Sequence, residues 1–99
     1  MKENIQRGLP PMHPGELLLE DFNELNFSKV EFAEKLGISR QHLDRIFKGE
    51  TPINANVAVR VSALFGTTAR LWLNLQAQYD IWRYREEHKE ELKELVCVA

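Results

Sequence analysis

Apolar side chains return along this chain at helical spacing, in five stretches divided by glycine, proline and capping residues. The first opens at His13-Pro14-Gly15-Glu16, where proline suits the first helical position. Leu18, Leu19, Phe22 and Leu25 follow, and Asn26 ends it. Ser28 with Glu31 three residues on reads as a capping box, ahead of a stripe of Val30, Phe32, Ala33 and Leu36 that stops at Gly37. Ser39 caps a third helix with Leu43, Ile46 and Phe47 on one face and Gly49 at its end. Asn54 caps a fourth carrying Val57, Ala58, Val61, Leu64 and Phe65, ended by Gly66. Thr67 or Thr68 caps the fifth, which runs through Leu71, Leu75, Tyr79 and Trp82 into the charged stretch Arg83–Glu94. No alternating segments flank a hairpin turn, so the pattern predicts an all-α fold of five short-linked helices with an extended C-terminal helix.

The second and third helices meet through Leu36-Gly37-Ile38-Ser39. A glycine at that sharp corner and a small Ala33 where the helices cross are what a helix-turn-helix over residues 28–49 requires. With Leu43, Ile46 and Phe47 turned inward, Arg40, Gln41, Asp44, Arg45 and Lys48 face outward. Arginine bonds two acceptors on a guanine edge and glutamine both groups of an adenine edge, and such side chains act from the start of the helix that enters the major groove. Arg40 and Gln41, which open that helix, are therefore candidate base readers. Lys29, beside the first amides of the preceding helix, is a candidate phosphate contact. Ser39, His42 and Lys48 are candidate supporting residues. Asp44 either accepts from a cytosine amine or pairs with Arg40 or Lys48 one turn away.

Composition narrows the field. The chain has 99 residues, 28% of them charged, with a net charge of −2. Its length suits one domain, and DNA binding has to rest on local charge. Residues 28–50 hold five basic and four acidic side chains, whereas residues 1–27 hold two basic and five acidic. One cysteine, Cys97, excludes a disulfide framework and suits a reducing, cytoplasmic setting. No apolar run approaches a membrane span, and the first fourteen residues lack the apolar core of a signal peptide. His13, His42 and His88 have no metal-ligand spacing to one another or to Cys97. No nucleophile motif and no phosphate loop is present, so neither enzyme activity, a metal nor a cofactor is expected.

Three segments together resemble the HigA-type antitoxins, the antidote proteins of host-inhibition-of-growth toxin–antitoxin modules, within the repressor-like helix-turn-helix superfamily. They are PPMHPGELLLEDFNELNFS (10–28), LGISRQHLDRIFKGETPIN (36–54) and AVRVSALFGTTARLWLNLQAQYDIW (58–82). The resemblance implies a helical homodimer that binds its own palindromic operator and a small ribonuclease toxin, with base contacts at Arg40, Gln41 and Arg45. Lys29 stands where the family usually has glutamine, and Glu50 where a basic residue is frequent. Two other readings stay open on the residues: a transcriptional regulator without a toxin, and a helical interaction module without DNA.

Around this domain, taken as residues 15–82, lie an N-terminal arm (1–14) and a charged extension (83–99). Lys2 and Arg7 make the arm a candidate minor-groove or partner contact, with a frayed terminus as the plainer reading. Trp72, Leu75, Tyr79 and Trp82 are candidates for a dimer interface, set against core packing. Asn74, Gln76 and Asp80 are polar within that apolar string, suited to backbone bonds, a dimer axis or solvent. In the extension, Arg83–Glu87, Glu86–Lys89 and Glu90–Lys93 have helical ion-pair spacing. It reads as a solvated helix or as a partner-binding one using Leu92, Leu95 and Val96.

Overall fold

Residues 10–95 are described by the computed structural model. They form α1 (Pro14–Asn23), α2 (Lys29–Leu36), α3 (Arg40–Phe47), α4 (Ala55–Phe65), α5 (Ala69–Glu87) and α6 (Lys89–Lys93), with no strand among them. Local chemistry sets most helix starts. Ser28 Oγ accepts from the Glu31 amide while Glu31 Oε1 accepts from the Ser28 amide. Ser39, Asn54 and Thr68 each accept from the amide three residues on. Thr67 is used as well: its Oγ1 accepts from the Trp72 indole N–H at 3.0 Å.

One core gathers all of α1 to α5. Leu18 of α1, Phe32, Ala33 and Leu36 of α2, and Leu43, Ile46 and Phe47 of α3 meet Ile53, then Val57, Ala58 and Val61 of α4 and Trp72 of α5. Phe22, Phe32 and Phe47 join in tilted or stacked ring contacts, their centroids 5.0–6.5 Å apart. Gly37, at φ 72°, makes the left-handed corner between α2 and α3, and the Arg60 guanidinium lies over it, donating to the Lys35 carbonyl.

The structure departs from the pattern at the ends of α1 and α5 and at three apolar-stripe residues that are exposed, Val30 and, at 40% and 43%, Leu64 and Leu71. Helix α1 stops at Asn23 rather than Asn26, because the Leu25 amide turns back to the Phe22 carbonyl and tucks Leu25 against the core. Val30 is 53% exposed. Phe32, Ala33 and Leu36 fix the inward face of α2, and Val30 lies well around the helix from their centre. The fifth helix does not run on through Glu94. It breaks at His88 (φ −124°, ψ 29°), whose ring stacks on Tyr84 at 3.9 Å. The chain then turns so that Leu92 comes back beside Ile81 and Tyr84, which share one cavity with it. The three expected ion pairs of this region form, at 2.9, 3.1 and 3.3 Å.

Candidate nucleic-acid interface

The helix-turn-helix presents α3 outward. Its inner face is fully occupied by Leu43, Ile46 and Phe47. Arg40, Gln41, Arg45 and Lys48 are exposed, with His42 and Asp44 half-buried beside them. Arg40 and Gln41 are the first two residues of the helix, where side chains reach past the helix end. Ser39 Oγ is engaged by the His42 amide, so its first task is to cap α3.

Asp44 pairs with neither Arg40 nor Lys48. It takes Lys29 from the neighbouring helix, Nζ to Oδ1 at 2.9 Å, with both side chains partly exposed. That hydrogen bond holds the Asp44 carboxyl below its ordinary range, aided by the charges of Lys29, Arg40 and Lys48. Lys29 thus sits at the start of α2 as expected, but its charge is already matched by a carboxylate on the same surface.

The aromatic string of α5 divides. Trp72 is 1% exposed, a core residue of its own chain, so it has no surface to give a second copy and leaves the interface set. Trp72 points into the core from the first turns of α5, with Ala69 and Leu73 partly packed against it and Gln76 buried one turn on. Leu75, Tyr79 and Trp82 are half-buried, and Tyr79 packs against Trp82. Leu71, which the sequence pattern placed in the apolar string of α5, is 43% exposed, and Ile81 and Tyr84 on α5 and Val59 on α4 are 47–57% exposed. Exposed apolar residues on two adjacent helices are the surface a partner would cover.

Two residues outside α3 are buried as well. His13, read from sequence as the opening of the first helix and as no metal ligand, is 4% exposed, and Gln76 is 5% exposed. Of the roles the sequence left open for Gln76, it takes the backbone bond, accepting from the Ile53 amide, and the signal for its burial is an uncharged polar residue four positions after Trp72, on the face that Trp72 buries. Lys2 and Arg7 of the arm, and Val96 and Cys97 of the extension, lie outside the described residues. Among the described residues no cluster of His, Cys, Asp and Glu can hold a metal ion, and no helix is long and apolar enough to cross a membrane.

Known proteins with this arrangement agree in sequence and in shape. The family described as helix-turn-helix matches residues 18–72. Antitoxin HigA-1 of Vibrio cholerae is 32% identical over 84 residues, covering 84% of this chain and 79% of its own. An addiction-module antidote protein of the HigA family from Coxiella burnetii superposes with a TM-score of 0.81 at 34% identity, over 92% of this chain and 100% of that one. The Pseudomonas aeruginosa antitoxin HigA, solved with the higBA promoter, superposes with a TM-score of 0.80 at 28% identity, over 90% and 99%. The chain belongs to the helix-turn-helix family, among the HigA-type antitoxins.

Proposed function

We propose that this protein is the antitoxin of a toxin–antitoxin module, binding a small ribonuclease-type toxin and repressing its own operon from the cytoplasm. The observation that carries the reading is α3: its apolar face is spent on the core, and Arg40, Gln41 and Arg45 are left free on the outer face. The fold is that of an antitoxin seen on promoter DNA. The family is one of antitoxins and transcription regulators, not of enzymes. Arg40, Gln41 and Arg45 read base edges, and Ser39, His42 and Lys48 support them along the phosphates. Two copies present two such helices to a palindrome, with half-sites about 34 Å apart. Leu75, Tyr79 and Trp82, with Ile81 beside them, form the dimer contact.

The test uses a duplex spanning the DNA immediately upstream of the protein's own coding sequence, with a scrambled duplex of equal length as control. Sedimentation is expected to show two 11.6 kDa protomers on the upstream duplex and salt-resistant preference for it. The product of the neighbouring open reading frame is expected to co-purify with the protein, and Arg40→Ala to leave that complex intact. A monomer on the DNA, or equal binding to both duplexes, would overturn the reading.

The Lys29–Asp44 pair gives a separate expectation. Because Asp44 already neutralises Lys29, Lys29 adds little to counterion release in the wild type. Asp44→Asn removes that partner and frees Lys29 for a phosphate. Binding to operator and scrambled DNA is then expected to tighten together. The slope of log K against log salt steepens by about 0.9 per subunit, the contribution of one phosphate contact. An unchanged slope would mean that Lys29 reaches phosphate despite Asp44.

A further inference from the structure

His13 and Gln76 are the two buried polar side chains among the described residues, and they lie together. His13 Nδ1 accepts from the Gly15 amide at 2.9 Å, capping α1. Gln76 Oε1 accepts from the Ile53 amide at 2.8 Å, in the segment between α3 and α4. Gln76 Nε2 donates to Asp80 Oδ1 at 2.9 Å and stands 3.4 Å from His13 Nε2. The Tyr79 ring meets the imidazole edge-on, with centroids 4.8 Å apart. On the remaining side is the turn that ends α3. A Cβ on Gly49, at φ 76°, would lie 3.4 Å from His13 Cγ. One imidazole therefore touches the start of α1, the end of α3 and the middle of α5, and lies beside the Gln76 side chain that accepts from the Ile53 amide.

Hydrogen bonding sets the ring's protonation. Nδ1 accepts, so a neutral ring carries its proton on Nε2. The Ile53 amide holds the Gln76 carbonyl, so the amide group cannot turn over to suit a different tautomer. A second proton on His13 must go on Nδ1, where it faces the Gly15 N–H and the cap of α1 is lost. The charged or titratable groups around the ring are Asp80, Arg83 and Tyr79 on α5 and Glu16 on α1, with Lys48 and Glu50 flanking Gly49. Burial lowers the His13 pKa below 6.5, outweighing the upward pull of Asp80 and Glu16, while Arg83 adds to the lowering.

We propose that His13 is a positioning residue for operator recognition: its neutral imidazole holds the end of α3 against α1 and α5, next to the Gln76–Ile53 contact, and a proton on Nδ1 releases that hold. The inference rests on α3 being the operator-reading helix. The sign follows from the folded pKa lying below the unfolded one. The hold is complete above pH 6.5 and is lost as pH falls below 6.5 toward the folded value, since the released state takes the proton more readily.

The experiment titrates the full chain with the upstream and scrambled duplexes at pH 7.5 and pH 5.5, and measures amide protection at Gly15 and Ile53 without DNA. Two variants keep an acceptor for the Gly15 amide but do not titrate, His13→Asn and His13→Ser. The wild type is expected to lose operator-over-scrambled ratio at pH 5.5, by up to about tenfold, the most that one proton can shift the hold one unit below pH 6.5. Its protection at Gly15 and Ile53 is expected to fall with it. Whichever variant folds should show a ratio and a protection that do not change between pH 7.5 and pH 5.5. An operator preference that does not change with pH in the wild type overturns this proposal alone, as does an equal loss in the non-titrating variants. Absence of any operator preference at pH 7.5 overturns the reading of α3 beneath it.

Discussion

Gly15→Ala is expected to destabilise the fold by about 3 kcal/mol, the upper range for overpacking a close-packed interior. Gly15 is the second residue of α1 and is buried. A Cβ there would run into the carbonyl oxygen of Ile46, which is backbone of α3, and would lie 3.0 Å from His13 Nδ1. A colliding side chain relaxes by changing rotamer. A carbonyl inside a helix yields only if α3 shifts away from α1. The helical preference of alanine over glycine offsets roughly 0.5–1 kcal/mol, too little to reverse the sign. Urea denaturation should show the midpoint fall with its slope unchanged. A loss under about 1 kcal/mol would mean that α1 can slide along α3 without cost, outside the overpacking range. In the folded remainder, operator preference should weaken as well, because the displaced element is the one proposed to read the DNA.

The fold was legible in the sequence wherever one side chain acts on its own neighbourhood. Ser28, Ser39, Asn54 and Thr68 cap helices through an amide three residues away, and Gly37 turns a corner by its own backbone. The face of α3 was legible for a related reason. Leu43, Ile46 and Phe47 take the inward positions, and the charged residues have nowhere else to go. What the sequence hid depends on distance along the chain. His13 is an unusual helix cap, and its burial is made by Tyr79 and Gln76, more than sixty residues on. The partner of Asp44 is fifteen residues away across the turn, whereas helical spacing offered only Arg40 and Lys48. The alternating charges around His88 support an unbroken helix. The break at His88 sets Leu92 beside a cavity shared with Ile81 and Tyr84, a placement that ion-pair spacing does not reveal. Trp72 and Trp82 share one apolar string, and periodicity does not say where α5 leaves the core.

Removing the leading side chains of α3 should produce the largest loss of function. Arg40 and Gln41 are exposed, open the helix, and make no hydrogen bond to another side chain in the structure's described network. Their donors are directional, so what they contribute depends on the base edge in front of them. Each base contact is worth about 1–3 kcal/mol of discrimination. A dimer on a palindrome uses each residue twice, so Arg40→Ala or Gln41→Ala is expected to cost the operator complex about 2–6 kcal/mol. Scrambled DNA offers no matched edge, and Gln41→Ala should leave binding to it nearly unchanged. Arg40→Ala also removes a positive charge, which lowers both affinities modestly and reduces the salt slope. Asp44→Asn acts in the opposite sense, on charge alone. The measurement is a titration of both duplexes at several salt concentrations, with circular dichroism establishing that each variant folds. If Gln41→Ala weakened scrambled DNA as much as the operator, its role would be phosphate binding. Base reading would then fall to Arg45 and to residues further along α3.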